Sequence, residues 1–470
     1  MVIRKTGMRK TNLILFVAAV FSAAFADAAT VSVDWSAETG PVKPVNGVGQ
    51  PPMIGAPTQF GMMHYLKDAG IPCARLHDVG GPYGQLRYVD VPNIFRDFDA
   101  DENDPANYSF MYTDALMKAL DDNKVEPFFR LGVTIDNPVG RGYPGYFVDP
   151  PKDFGKWARI CEHIIRHYTE GWANGFRMKV SHWEIWNEPD NMPDPKVNPL
   201  WNAPFAEFIR FYGTVAPYLK EKFPRLKFGG YGSCGFYAGV GANRIKAAHS
   251  SPRLEYFVEC ATNFLSAVRQ NGWPLDFFSY HSYSRPTEAL RQIRYADELL
   301  TSYGFVPGRT ERIFNEWLPY VAHDNLGSAL QAAGIAAELI ELQNGPCDLA
   351  CIYDAKCGVG NYSPLFNPMT YKPHKAYYAF VAFNELRKLA TAVRVSVADG
   401  EGVCAAAARR GNEAAIFLAN DNNAAVPIGC AFGGWTVSAC RITDAVRTHE
   451  LCDMPSVLPA HSFVILSLKR

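Results

Sequence analysis

The chain has 470 residues, 48% of them apolar and 20% charged, and a formal net charge of −1. That length exceeds one minimal domain and fits a large barrel plus a smaller module. The near-zero charge gives no reason to expect nucleic acid or an acidic membrane surface as a partner. Nine Trp and 23 Tyr serve either a large aromatic core or carbohydrate stacking.

The N-terminus reads as a targeting segment. Arg4, Lys5, Arg9 and Lys10 precede an apolar stretch from Leu13 to Phe25, and Ala24-Phe25-Ala26 offers a small-x-small cleavage site before Asp27. The apolar run is short for a membrane span, and no other segment approaches ~20 apolar residues. Residues 1–26 are therefore expected to be removed on export, giving a secreted or periplasmic protein without stable membrane insertion. Eleven cysteines in such a protein leave at least one unpaired if all disulfides are internal. No CxxC pair occurs, and no His sits at ligand spacing beside the cysteines, so a metal site is not expected. A few disulfides, in the C-terminal region around Cys404, Cys430, Cys440 and Cys452, plus buried thiols are expected instead.

A strand is predicted at 30–35, just past the signal. From 41 to 383, short apolar runs alternate with segments of helical period. Candidate strands fall at 45–50, 73–77, 125–131, 180–187, 226–231, 276–281, 312–316 and 349–354. Between the third and fourth, Trp157, Ile160, Cys161, Ile164, Ile165 and Tyr168 share one face of a helix, with Pro151 and Asp153 at its start and Gly171 past its end. Eight such units predict an α/β fold, a (β/α)₈ barrel whose site lies at the C-terminal ends of the strands. A doubly wound sheet lacks support, since no Gly-x-Gly-x-x-Gly follows the first strand. After about Leu386 the runs become short and β-rich, with Gly, Asn and Asp between them, which predicts a small C-terminal antiparallel β-sandwich. The strand after the signal is expected to join it. The expected division is therefore 27–40 as that strand, 41–386 as the barrel and 387–470 as the sandwich.

Two segments carry the chemistry: Trp183-Glu184-Ile185-Trp186-Asn187-Glu188-Pro189-Asp190 and Ile313-Phe314-Asn315-Glu316-Trp317. Each is an apolar run that delivers a glutamate to a strand end. Two carboxyls placed this way suit retaining glycoside hydrolysis, one as proton donor and one as nucleophile. Glu188 is the candidate acid, with Trp183, Trp186 and Trp201 as rings and Glu316 as a charge that raise its pKa. Glu316 is the candidate nucleophile, with Arg75 and Tyr283 as donors that keep it ionised. Trp317 offers a flat face to a sugar ring. Glu184 shares a strand face with Glu188 but lies deeper, where it must be paired, with Arg75 or Arg130. His281, His77, Asp78 and Asp354 sit at other strand ends, and Lys356 is placed to meet a substrate carboxylate.

Trp-Asn-Glu-Pro on the fourth strand with a glutamate on the seventh resembles the 4/7 superfamily of retaining glycoside hydrolases, clan A. Within it, Arg75-Leu76-His77-Asp78, the helix running to His167-Tyr168, and His281-Ser282-Tyr283 are most similar to family 39, which includes β-xylosidases and α-L-iduronidases. The resemblance implies Glu188 as acid/base, Glu316 as nucleophile and Asn187 as holder of the sugar 2-hydroxyl. It implies that Arg75 and Tyr283 orient Glu316 and that His77 and His281 contact the glycon. Asn315 stands where relatives often show Thr or Ser, and Tyr353-Asp354 where a Trp is common. The expected substrate is an oligosaccharide or glycoside, with β-xylosidase-like exo-action and no cofactor. The alternatives are α-L-arabinofuranose, β-galactose, β-glucuronate or iduronate as the sugar, or a carbohydrate-binding protein without turnover.

Overall fold

The computed structural model describes residues 28–52, 61–79, 88–134, 147–238 and 251–470; the segment read as a targeting signal lies outside them. After strand β1 (Ala29–Pro41), eight parallel strands close a barrel in chain order. They are β2 (Gly47–Gly49), β3 (Cys73–Leu76), β4 (Glu126–Leu131), β5 (His182–Ile185), β6 (Lys227–Ser233), β7 (Phe277–Ser282), β8 (Glu311–Trp317) and β9 (Leu349–Ile352). All eight predicted strands are present. β5 is shorter than expected because Trp186 takes φ +73°, which ends regular pairing after Ile185.

The helix Phe154–Thr169 shows how local sequence sets the scaffold. The Asp153 side chain accepts from Lys156 N–H at its start, and the stripe from Trp157 to Tyr168 is buried against the barrel. Gly171, at φ +84°, turns the chain away just past its end. Inside the barrel, Cys73, Phe128, Phe277, Ile313, Leu349 and Cys351 form an apolar floor. The layer above it is polar, and it carries the site.

The C-terminal strands are β10 (Thr391–Ala398), β11 (Val403–Arg410), β12 (Glu413–Asn420), β13 (Val426–Ala431), β14 (Thr436–Thr443), β15 (Glu450–Leu451), β16 (Val457–Leu458) and β17 (Ser462–Lys469). With β1 they form one nine-stranded sheet in the order β15-β14-β17-β12-β11-β10-β1-β13-β16. The predicted sandwich is thus a single curled sheet, and it is mixed: β1 runs antiparallel to β10 but parallel to β13. Side-chain alternation divides its central strands. Ala405, Ala407, Ile416, Leu418, Val464 and Leu466 face a core within the curl. Ala406, Ala408, Phe417, Ala419, Phe463 and Ile465 face the barrel core. The helix Ala329–Asn344 lies between barrel and sheet and is buried nearly all round, which is why its sequence shows little polar face. No helix among the described residues is long and apolar enough to cross a membrane.

All eleven cysteines are thiols, where a few C-terminal disulfides were expected. One pair stands ready to form one. Cys440 and Cys452 lie opposite each other across β14 and β15, with Cys452 N–H donating to Cys440 O at 3.1 Å and the sulfurs 3.5 Å apart. A hydrogen-bonded antiparallel pair has the Cα spacing a disulfide accepts. Oxidised glutathione is expected to couple these two thiols with release of two reduced glutathiones, while Cys161 and Cys260 stay free. Peptide mapping by mass spectrometry checks this; an uncoupled Cys440–Cys452 pair would refute it.

Candidate active site

The polar layer above the barrel floor is organised by Arg75. From β3 its Nε donates to Glu184 Oε2 at 2.7 Å, its Nη1 to Glu316 Oε1 at 2.7 Å and its Nη2 to Asn187 Oδ1. Glu184 Oε1 also accepts from Ser279 Oγ and Asn315 Nδ2, each at 2.6 Å. Arg75 and Glu184 have no exposed surface. A buried charge without such partners would cost several kcal/mol, on the order of 3–5 when one member of a pair is removed. Glu184 is thus the deep, paired support that strand alternation predicts.

Asn315 and Glu316 are neighbours, yet both point inward, which a regular strand does not allow. Tyr280 pairs with Phe314 and His281 with Glu316, so β8 carries one extra residue at Asn315. Such a bulge re-aims the residue after it. Asn315 reaches down to Glu184, and Glu316 reaches the barrel mouth. There, Tyr283 OH donates to Glu316 Oε2 at 2.7 Å. His77 Nδ1 accepts from Arg130 Nε at 3.2 Å. A guanidinium only donates, so in the neutral ring the proton sits on His77 Nε2, which lies 3.3 Å from Asp78 Oδ1 and 3.6 Å from Glu316 Oε1.

Glu188 is placed by backbone, not by strand pairing. It takes φ +44°, and its N–H points at Tyr231 O and Gly232 O, at 3.2 and 3.0 Å. Positive φ at Trp186 and Glu188 costs on the order of 1–3 kcal/mol each, which the surrounding barrel must offset. His281 Nδ1 lies 2.8 Å from Glu188 Oε1, and Asn191 Nδ2 donates to Oε2 at 2.8 Å. Arg253 Nη2 donates in turn to Asn191 Oδ1 at 3.1 Å. Trp183, Trp186 and Trp201 are fully buried, with Trp186 and Trp201 packed edge-on at 5.1 Å. The expected upward shift of Glu188 does not occur: burial pushes its carboxyl up, but the His281 contact brings it below its ordinary value. One oxygen of Glu188, one of Glu316 and a His281 nitrogen lie within 4.8 Å of one another. A cation could use that grouping, but Arg75, Tyr283 and Asn191 already donate to its carboxylates.

A cavity of about 950 Å³ opens above these groups. His77, Asp78, Asn187, Glu188, Tyr283, Glu316, Asp354 and Lys356 are on its wall, together as the sequence predicts. Arg75 lies beneath it. His281 is fully buried behind Glu188 and so does not reach a glycon as expected. Trp317 offers no face to a sugar: with Glu316 turned inward after the bulge, Trp317 turns outward and stacks on Phe380 at 6.5 Å. Sequence reading missed Gln50, Asn191 and Tyr353 as wall residues. Gln50 Nε2 donates to Tyr353 OH, which donates to Asp78 Oδ2 at 2.5 Å. Asn191 follows Glu188 by one turn, and that spacing was the available signal.

Burial pushes Asp78 up to about 7, with Tyr353 pulling against it. Burial and Glu188 likewise take Asp190 to about 7. Unfolded carboxyls titrate near ~4, so between about pH 4 and about pH 7 the folded chain holds protons that the unfolded chain has released. Stability carried by these groups therefore falls as pH rises through that window. Asp78→Asn is expected to flatten the fall, read from denaturant midpoints at the two ends of the window; an unchanged slope would refute it.

Residues 84–319, half of the chain, match the sequence model of Glycosyl hydrolases family 39. The chain belongs to family 39. Glu188 and Glu316 both lie within the matched span. A β-xylosidase of Geobacillus stearothermophilus is 26% identical over 202 residues, 42% of this chain and 34% of that protein, so the match spans about a third of that relative. A glucosidase from Croceicoccus marinus superposes with a TM-score of 0.72 at 19% identity, covering 95% of this chain and 99% of that one. A monomeric β-xylosidase from Caulobacter crescentus superposes at 0.64 and 15% identity, covering 94% and 99%. At such identities these two likenesses speak for the fold alone.

Proposed function

We propose that this family 39 member is an exported retaining glycosidase with β-xylosidase-like exo-action. The observation that carries the mechanism is the approach of Glu188 and Glu316 oxygens to within 4.8 Å. Retaining pairs stand ~5–5.5 Å apart, whereas inverting pairs need ~6.5–9.5 Å to admit water between them. Glu316, held by Arg75 and Tyr283, attacks the anomeric carbon while Glu188 protonates the leaving oxygen. Glu188 then activates water to release the sugar with retained configuration. Arg75 claims Asn187 Oδ1, which leaves Nδ2 for the 2-hydroxyl. The name of the Geobacillus relative supports xylose.

One observation favours another sugar. Lys356 is half-buried on the cavity wall and forms no salt bridge among the described residues, which suits an acidic glycon such as a uronate. Aryl glycosides that share a leaving group and differ only in the sugar decide between the two. NMR of the first-formed anomer tests the mechanism, and an inverted product would end the retaining assignment. Export rests on the basic and apolar segment before Asp27. The mature N-terminus from secreted or periplasmic fractions should begin near that residue; an intact Met1 there would count against it.

A further inference from the structure

A general acid must carry a proton, yet both oxygens of Glu188 are engaged in hydrogen bonds. Asn191 Nδ2 can only donate, so Oε2 holds no proton. The remaining place is between Oε1 and His281 Nδ1, 2.8 Å apart. His281 is fully buried, and the same Nδ1 lies 3.5 Å from Glu316 Oε2. Among the described residues its Nε2 has no hydrogen-bond partner, so the ring is held through Nδ1. Glu316 from β8 and Glu188 from the turn after β5 face the ring, and Arg75 from β3 opposes them. Cys234, after β6, and Asp190 lie beside Glu188. Arg75 is already shared among Glu184, Glu316 and Asn187, so the carboxylates outnumber the fixed cation and favour a second positive charge on the ring.

We infer that His281 stores the proton of the acid–base cycle and hands it to Glu188 through the Nδ1–Oε1 hydrogen bond. The inference rests on Glu188 being the acid/base. The Nδ1–H bond breaks as Oε1–H forms, so an imidazolium and a carboxylate become a neutral imidazole and a neutral acid. Glu188 then gives the proton to the leaving oxygen. In the second half, Glu188 takes a proton from the attacking water and returns it to Nδ1, and the ring ends as it began. His281 is therefore a positioning residue, acting on substrate only through Glu188. Burial works against charge on His281, but Glu316 and Glu188 hold it above its ordinary value.

The test is His281→Gln, which keeps an N–H donor for Glu188 but cannot store a proton. With a phenyl glycoside of the sugar that the wild type turns over, the alkaline limb of kcat/KM is expected to move down by at least about one pH unit. With a dinitrophenyl glycoside, whose leaving group needs no proton, the limb should stay in place. A purely structural role would lower both substrates together, and an unmoved phenyl limb overturns the inference. Should the variant fail to fold, ¹⁵N-histidine spectra of the wild type decide. The His281 ring, identified by its perturbation in Glu188→Gln, should carry protons on both nitrogens near neutral pH, and a singly protonated ring overturns the inference. If Glu188→Gln itself keeps wild-type turnover of the phenyl glycoside, the acid/base assignment fails instead.

Discussion

Turnover of a phenyl glycoside by Glu316→Gln is expected to fall by at least about 10⁴-fold, the scale on which loss of a covalent nucleophile acts. The amide keeps the size of the side chain and a hydrogen bond to Tyr283, so the loss reports chemistry and not collapse of the site. Glu188→Ala is expected to lose as much on the phenyl substrate but far less on a dinitrophenyl one. Azide, which fits the vacated space and needs no general base, should restore turnover and yield a glycosyl azide of retained configuration. Steady-state rates and NMR of the azide product read these outcomes. Activity within about tenfold of wild type in either variant, with the phenyl substrate, would remove that residue from its role.

The second large effect is on stability. Arg75→Met leaves Glu184 buried with, among the described residues, only the neutral donors Ser279 and Asn315. Removing one partner of a fully buried pair costs about 3–5 kcal/mol, because the other charge stays behind uncompensated. Arg75→Met combined with Glu184→Leu removes both charges of that pair and is expected to recover part of that loss, since Glu316 still lacks its guanidinium. The double variant should still be inactive, since Glu316 and Asn187 lose their shared donor. Denaturant titration of the single and double variants measures the recovery; equal stability of the two would contradict the pairing.

The barrel was legible because its strands are apolar runs that end in polar residues, and because the helix at Phe154–Thr169 announces itself by period and cap. The pairing of Glu184 with Arg75 followed from alternation and from the cost of a buried charge. What alternation could not supply was its own interruption. Nothing in Ile313-Phe314-Asn315-Glu316-Trp317 marks the extra residue in β8, so alternation alone puts Trp317 on the wrong side. His281 was expected at the glycon because a strand-end position says where a residue lies along the barrel axis, not which neighbour stands in front of it. The downward shift of Glu188 had the same origin: the Trp residues of its motif were legible, but the histidine 93 positions away was not tied to it. The single curled sheet was hidden because strand order is a long-range property, and β1 meets β13 nearly 400 residues later.

The bulge in β8 makes the nucleophile a matter of counting as well as of identity. Without the bulge, the same five residues in strict alternation would keep Asn315 facing inward and exchange the places of Glu316 and Trp317. The carboxylate would then face the apolar shell around Phe380, and the indole would take its place above Arg75. Every residue of the motif would still be written in the chain, yet Glu188 would have no glutamate on β8 facing it across the cleft. A transplant of this segment into another barrel must therefore carry its length against β7, since a copy of the letters alone does not carry the chemistry.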